Sequence, residues 1–210
     1  MMASEIKAVL FDIGGVIVRT DDLSPRTRLA SRFGLDRAGI DQLVFGSAMA
    51  QAVERGEADE AALWAQVGAE LKLTPEALRA FQNEFWGGDQ ADASLLALLR
   101  SLRGRCRTGL LTNSWLRDPL ALFWTRFGLP EADVRASVDV VVSSAVVGVR
   151  KPAPRIYQAA LEALGTSAQE TLFVDDFMHN IEAARALGFQ TIWFENAAQA
   201  RRDLLALLAE

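Results

Sequence analysis

The chain holds one cysteine and one histidine in 210 residues. Cys106 alone cannot close an intramolecular disulfide, and His179 alone cannot build a His-rich zinc site. Positive charge is also short: 22 Lys plus Arg stand against 27 Asp plus Glu, a formal net charge of −5. The global field therefore opposes nucleic acid and anionic membranes, and an anionic substrate must be held by cations placed locally. Long apolar runs are missing too. No window approaches the roughly 18 consecutive apolar residues of a membrane span, and MMASEIKAVLFD carries no basic stretch followed by an apolar one. The expectation is a soluble, unprocessed, cytoplasmic chain with no membrane or nucleic-acid partner. There is no internal repeat, low-complexity tract or long charged run.

What the chain does have is apolar residues at 50% of positions, enough for one α/β domain with an insert or for two small domains. Runs rich in Val, Ile, Leu and Phe recur at 6–11, 108–112, 138–143, 171–175 and 190–194. They show little alternation, as expected of strands covered by helices on both faces. Helical spacing fills 95–102, 156–165 and 180–188, the last two closing on Gly165 and Gly188. Strand and helix in series predict a Rossmann-like, doubly wound parallel sheet. Residues 20–94 read differently: they are rich in Ala, Leu, Glu, Gln and Arg, lack a convincing strand, and include a helix start at Thr74-Pro75. The predicted organisation is an α/β core over 1–19 and 95–210, interrupted by an all-helical cap over 20–94. A last amphipathic helix, with Leu204, Leu205 and Leu208 on one side, is expected over 197–210.

In an open parallel sheet, ligands bind beyond the carboxyl ends of the strands. Four polar clusters fall there. VLFDIGGVIV delivers Asp12, then Gly14 and Gly15, which permit a tight turn and close backbone approach. GLLTNSWLRD ends a strand with Thr112, Asn113 and Ser114, donors for phosphate oxygens but also ordinary helix-capping residues. GVRKPAPRIYQ sets Arg150 and Lys151 before a helix N-terminus, where the macrodipole disfavours cations unless an anion shares the site. FVDDFMHNIEAARALG places Asp175 and Asp176 side by side, which repel unless a cation lies between them. Oxygen donors without Cys or His at metal spacing favour Mg²⁺ over zinc.

In this order the four clusters resemble the haloacid dehalogenase superfamily, specifically members with a helical cap after the first strand. LTNSWLRD, GVRKPAPRIYQ and FVDDFMHNIEAARALG look like stretches of soluble epoxide hydrolase phosphatase domains and of bacterial sugar-phosphate phosphatases. The resemblance implies a Mg²⁺-dependent hydrolase of small phosphate monoesters. Asp12 would be the nucleophile; Thr112, Asn113, Lys151 and Arg19 would bind phosphate. Lys151 would compensate charge, and Asp12, the Gly14 carbonyl, Asp176 and, through water or Lys151, Asp175 would hold Mg²⁺.

One position departs from that family's pattern. Its phosphatases usually carry a second Asp two residues after the nucleophile as general acid, and here the residue is Gly14. A better leaving group such as an anomeric or acyl phosphate, another acid among Asp21, Asp22 and His179, or vestigial activity would each account for it. The rival readings are a 2-haloacid dehalogenase, which needs neither acid nor metal, and a phosphate-binding module without turnover. Arg19, Arg55, Trp86 and Trp115 are the candidates for substrate selection. Oligomeric state is left undetermined.

Overall fold

The computed structural model describes residues 5–209; residues 1–4 and 210, which the predicted core includes, lie outside them. Five parallel strands form the sheet. In chain order they are β1 (Ala8–Phe11), β4 (Arg107–Thr112), β5 (Val140–Ser143), β6 (Thr171–Asp175) and β7 (Gln190–Trp193). Their order across the sheet is β5-β4-β1-β6-β7. Side-chain alternation divides them between two cores. Val9, Phe11, Leu110, Leu172 and Val174 face a cluster with α6 (Ala93–Leu102) and α12 (Ala197–Leu207). Ala8, Leu10, Leu111 and Phe173 face one with α10 (Pro154–Leu164) and α11 (Met178–Ala186). Burial on both faces is why these strands read as continuous apolar runs. The doubly wound Rossmann-like sheet is as expected. In α12 Leu204 is buried, and Leu208 just after it packs on the core, but Leu205 is 39% exposed, so the expected three-leucine stripe is narrower than the spacing suggested.

The chain moves outward from β1 through β4 to β5, then crosses back to β6 and β7. This reversal opens a crevice beyond the carboxyl ends of the central strands. Three short helices follow β4 and β5: α7 (Ala121–Thr125), α8 (Glu131–Arg135) and α9 (Ser144–Val147).

The insert is a five-helix cap: α1 (Ser24–Arg32), α2 (Arg37–Phe45), α3 (Ala48–Glu54), α4 (Glu60–Glu70) and α5 (Pro75–Phe85). It has its own core, built on Leu29, Ile40, Val44, Leu63, Trp64, Phe81 and Phe85. Asp36, Ser47, Asp59 and Thr74 each cap a helix by accepting a backbone N–H, an interaction typically worth about 1 kcal/mol. The ribbon at its base was not expected from the sequence. β2 (Val18–Thr20) pairs antiparallel with β3 (Asp89–Ala91), so the two segments joining cap to core are hydrogen-bonded to each other. Neither three-residue strand has a readable period; tertiary placement makes them.

Candidate active site

Parallel strands put their carboxyl ends on one edge, so Asp12, Thr112 and Asp175 converge there. Asp12 N–H donates to Val174 O at 2.9 Å, which locks the residue beside the end of β6. Lys151, on the loop before α10, is almost completely buried between two carboxylates: Nζ lies 2.9 Å from Asp12 Oδ2 and 2.6 Å from Asp175 Oδ2. Asn113 fixes that lysine from behind. Its Oδ1 accepts Lys151 N–H at 2.7 Å and its Nδ2 donates to Lys151 O at 3.1 Å. The side chain predicted to hold phosphate is thus committed to the lysine's backbone.

Asp175 is equally constrained. Oδ1 accepts Phe177 N–H at 2.8 Å, and Asn180 Nδ2 reaches both oxygens at 3.0 and 3.1 Å. Tyr157 OH in turn donates to Asn180 O at 3.0 Å. Asp176 differs: its Oδ1 is buried without a hydrogen-bond partner among the described residues. Asp12, Asp175 and Asp176 offer oxygens all within 4.8 Å of one another. Three carboxylates face one ammonium, so full ionisation would leave a net charge of −2 at a buried site. Burial first, and then the Asp175 charge against Lys151's opposition, pushes the Asp12 carboxyl up to about 7. Burial and Asp175 push Asp176 up to about 6. For Lys151, burial alone would lower the pKa, but Asp12 and Asp175 more than reverse this and raise it. An orphaned carboxylate oxygen and an excess of hard oxygen donors fit a divalent cation of the Mg²⁺ type.

The Asp12 loop is shaped for close approach. Ile17 and Val18 N–H both donate to Ile13 O, and Gly15 N–H to Val18 O, leaving the Gly14 carbonyl outside this set. Gly15 has φ +79°, and a Cβ there would lie 2.1 Å from Asp176 Oδ2, so only glycine lets the loop pack against that carboxylate. A Cβ at Gly14 would meet nothing within 4 Å. Thr112 is buried, and among the described residues its hydroxyl makes one hydrogen bond, a long 3.4 Å donation to Asn113 O.

These groups line a cleft of about 930 Å³ between core and cap. The cap supplies Phe45, Glu54 and Trp86 to its wall; the core supplies Trp115, Arg126, Arg150 and His179. Several contacts among the described residues join the two sides. Trp115 packs into the cap's aromatic cluster, with ring centroids 5.8 Å from Trp86 and 6.0 Å from Trp64. The Arg126 guanidinium lies 4.5 Å over Trp86. Glu54 Oε2 lies 2.7 Å from Arg150 Nε. Gly56, at φ +68°, sits so close to α9 that a Cβ would be 2.3 Å from Ala145 O.

The other predicted residues are placed less centrally. Arg19 lines the cleft, but its guanidinium bonds Asp92 Oδ2 at 3.0 Å and Val16 O at 2.6 Å. Arg55 is held by Glu57 and does not line the cleft, nor do the exposed Asp21 and Asp22. His179 lines it and is exposed, its ring 5.4 Å from that of Phe177. Sequence reasoning missed Glu54, Asn180 as the Asp175 partner, and the Asn113 clamp. Only Arg55, a candidate for substrate selection, drew attention to Glu54's neighbourhood.

Residues 6–188 match the haloacid dehalogenase-like hydrolase family. The chain belongs to that family. It is 31% identical to the D-ribitol-5-phosphate phosphatase of Bacteroides thetaiotaomicron, over 97% of this chain and 98% of that one. It is 29% identical to the sesquiterpene phosphatase astK of Aspergillus oryzae, over 89% of each. Among solved structures, its fold matches a HAD family enzyme of Bacteroides thetaiotaomicron in complex with magnesium and inorganic phosphate, with TM-score 0.71 and 21% identity, over 93% of this chain and 98% of that one. Among the described residues no helix is long and apolar enough to cross a membrane.

Proposed function

We propose that the protein is a Mg²⁺-dependent phosphatase of small phosphate monoesters that works through an aspartyl-phosphate on Asp12. The observation that carries this reading is the buried cluster of Asp12, Asp175 and Asp176 around Lys151, with an Asp176 oxygen left unpartnered. An Asp12 oxygen attacks phosphorus as the bond to the ester oxygen breaks. Water then attacks the same phosphorus, releasing phosphate and regenerating the carboxylate. Lys151 is already held against Asp12, so its charge meets the incoming phosphoryl oxygens without reorganisation. Thr112, whose hydroxyl has only a weak partner, donates to another of those oxygens. Asp12, Asp176 and the Gly14 carbonyl would hold the Mg²⁺, with Asp175 in the same carboxylate cluster but already bound to Lys151 and Asn180. Bound there, the ion neutralises charge shared by nucleophile and phosphoryl group.

Relatives that are phosphatases of a sugar alcohol phosphate and of a sesquiterpene support the reaction class and leave the alcohol open. A dehalogenase has no use for an orphaned metal-ligand oxygen, which disfavours that rival. A single buried, unpaired cysteine fits a reducing cytoplasm. The test is a screen of small phosphate esters with and without Mg²⁺, alongside Asp12→Asn. Phosphate release that needs both the ion and Asp12 is expected; release that survives EDTA, or halide release from 2-haloacids, would sink the proposal.

A further inference from the structure

The Gly14 position leaves the proposed reaction without its usual proton donor, yet the space a side chain would occupy there is open. A donor elsewhere on the cleft wall would fill that gap. Outside the metal cluster, four carboxylates line that wall: Asp41, Glu54, Glu60 and Asp89. Asp41 and Asp89 are both bound by Arg26, at 3.2 and 3.1 Å. Glu60 accepts the indole N–H of Trp64 at 2.8 Å. Glu54 is different. It ends α3 against the residue that precedes Lys151 in the chain, its side chain only 11% exposed.

We propose that Glu54, carried by the cap, is the general acid and base of the reaction in place of the carboxylate that Gly14 lacks. The inference rests on the phosphatase reading. In the first step the Glu54 proton passes to the ester oxygen as that oxygen leaves phosphorus and Asp12 bonds to it. In the second, the Glu54 carboxylate takes a proton from the attacking water as the Asp12–phosphorus bond breaks. Each cycle consumes one water and restores the Glu54 proton.

The surroundings suit a carboxyl that must alternate between two states. Burial raises its pKa, while Arg150, Lys151 and Arg55 oppose that rise. The contact with Arg150 is close but not directed: neither Glu54 Oε2 nor Arg150 Nε makes a hydrogen bond in it. A phosphoryl dianion arriving beside Lys151 adds negative charge nearby and favours the protonated form further. Placing the acid on the cap also makes protonation depend on cap and core being together, and Gly56, two residues on, packs against Ala145 O across the same seam.

The leaving group reports the acid. Steady-state rates on p-nitrophenyl phosphate, whose phenolate leaves without help, are compared with those on phenyl phosphate, whose phenolate is more basic, using Mg²⁺-loaded enzyme. Glu54→Gln is expected to lower kcat/KM, which reports the leaving-group step and not the later hydrolysis, by ~100-fold or more on phenyl phosphate, within the usual range for general acid catalysis, and only a few-fold on p-nitrophenyl phosphate. Adding Gly14→Asp to Glu54→Gln should recover the phenyl phosphate rate. Arg150→Met should keep the wild-type leaving-group dependence and move the alkaline limb of kcat to higher pH. Equal losses of kcat/KM on both substrates in Glu54→Gln would show Glu54 to be only a clasp for Arg150, and a leaving-group effect on kcat/KM that appears in His179→Asn instead would assign the proton there. Either result overturns the inference, whereas wild-type enzyme inert on every ester would overturn the phosphatase reading itself.

Discussion

Lys151 is the residue on which the site's charge balance turns. Removing one partner of a buried ion pair typically costs about 3–5 kcal/mol, because the other charge is left uncompensated. Lys151→Met abandons Asp12 and Asp175 together. It should therefore destabilise the metal-free protein by roughly 3 kcal/mol or more at pH 8 in urea denaturation. The loss should shrink on acidification, as the abandoned carboxyls take up protons. The wild type carries its own pH signature. Asp12 titrates near 7 in the folded state against an ordinary 3.8, so between those values the folded chain holds a proton that the unfolded chain has lost. Stability of the metal-free protein should consequently fall as pH rises from about 4 to about 7. Mg²⁺ selects the ionised form, so its affinity should climb through the same window, with proton release on binding. Calorimetric titration in two buffers of different ionisation enthalpy measures both, and an affinity flat from pH 5.5 to 8 would contradict this account.

At the scale of the element, the loop between β1 and β2 makes a sharp contrast between adjacent glycines. Gly15→Ala must strain a φ of +79° and drive a methyl into Asp176, whereas a methyl at Gly14 enters open space. Gly15→Ala should cost ~1–2 kcal/mol in stability and weaken Mg²⁺ binding severely; Gly14→Ala should do neither. Thermal shift with and without Mg²⁺ separates the two, and equal behaviour would show that the loop does not depend on this packing. The loop also shows what was legible. Asp12, Thr112, Lys151 and Asp175-Asp176 stand at strand ends or before a helix, so a polar residue at the end of a continuous apolar run, or at a helix start, betrays each of them. The Asn113 clamp on Lys151 spans 38 residues, and Asn180 reaches Asp175 from the next helix. Thr-Asn-Ser reads equally as a cap or a phosphate cradle, and nothing local says that its amide turns to a distant backbone. The sheet was readable from its continuous apolar runs, and the helical character of the insert from its composition and the Thr74-Pro75 start. The β2–β3 ribbon was not, because three-residue strands carry no period and exist only where the fold brings them together.

For the whole molecule, the question is how two separately cored units come to share one cleft. The contacts across it are few: an inserted indole, a cation over an aromatic face, one ion pair and one glycine on a carbonyl. Such a sparse seam suits opening and closing during turnover. Gly56→Ala, which places a methyl against Ala145 O and strains a φ of +68°, should hold the seam apart with little effect on either core. Activity should drop while the melting transition stays within a few degrees of wild type, and protease sensitivity near residue 115 should rise; unchanged activity would show that the seam does not govern catalysis. The ribbon beneath the cap carries a different implication. Because Val18–Thr20 and Asp89–Ala91 are already paired strand to strand, the chain leaves and rejoins the sheet domain at one point. A two-residue Asn-Gly turn in place of residues 21–88 would convert the ribbon into an ordinary hairpin, leaving a miniature protein that keeps its sheet and metal cluster. Evolution could exchange the lid at that same junction, as a unit, without re-solving the fold beneath it.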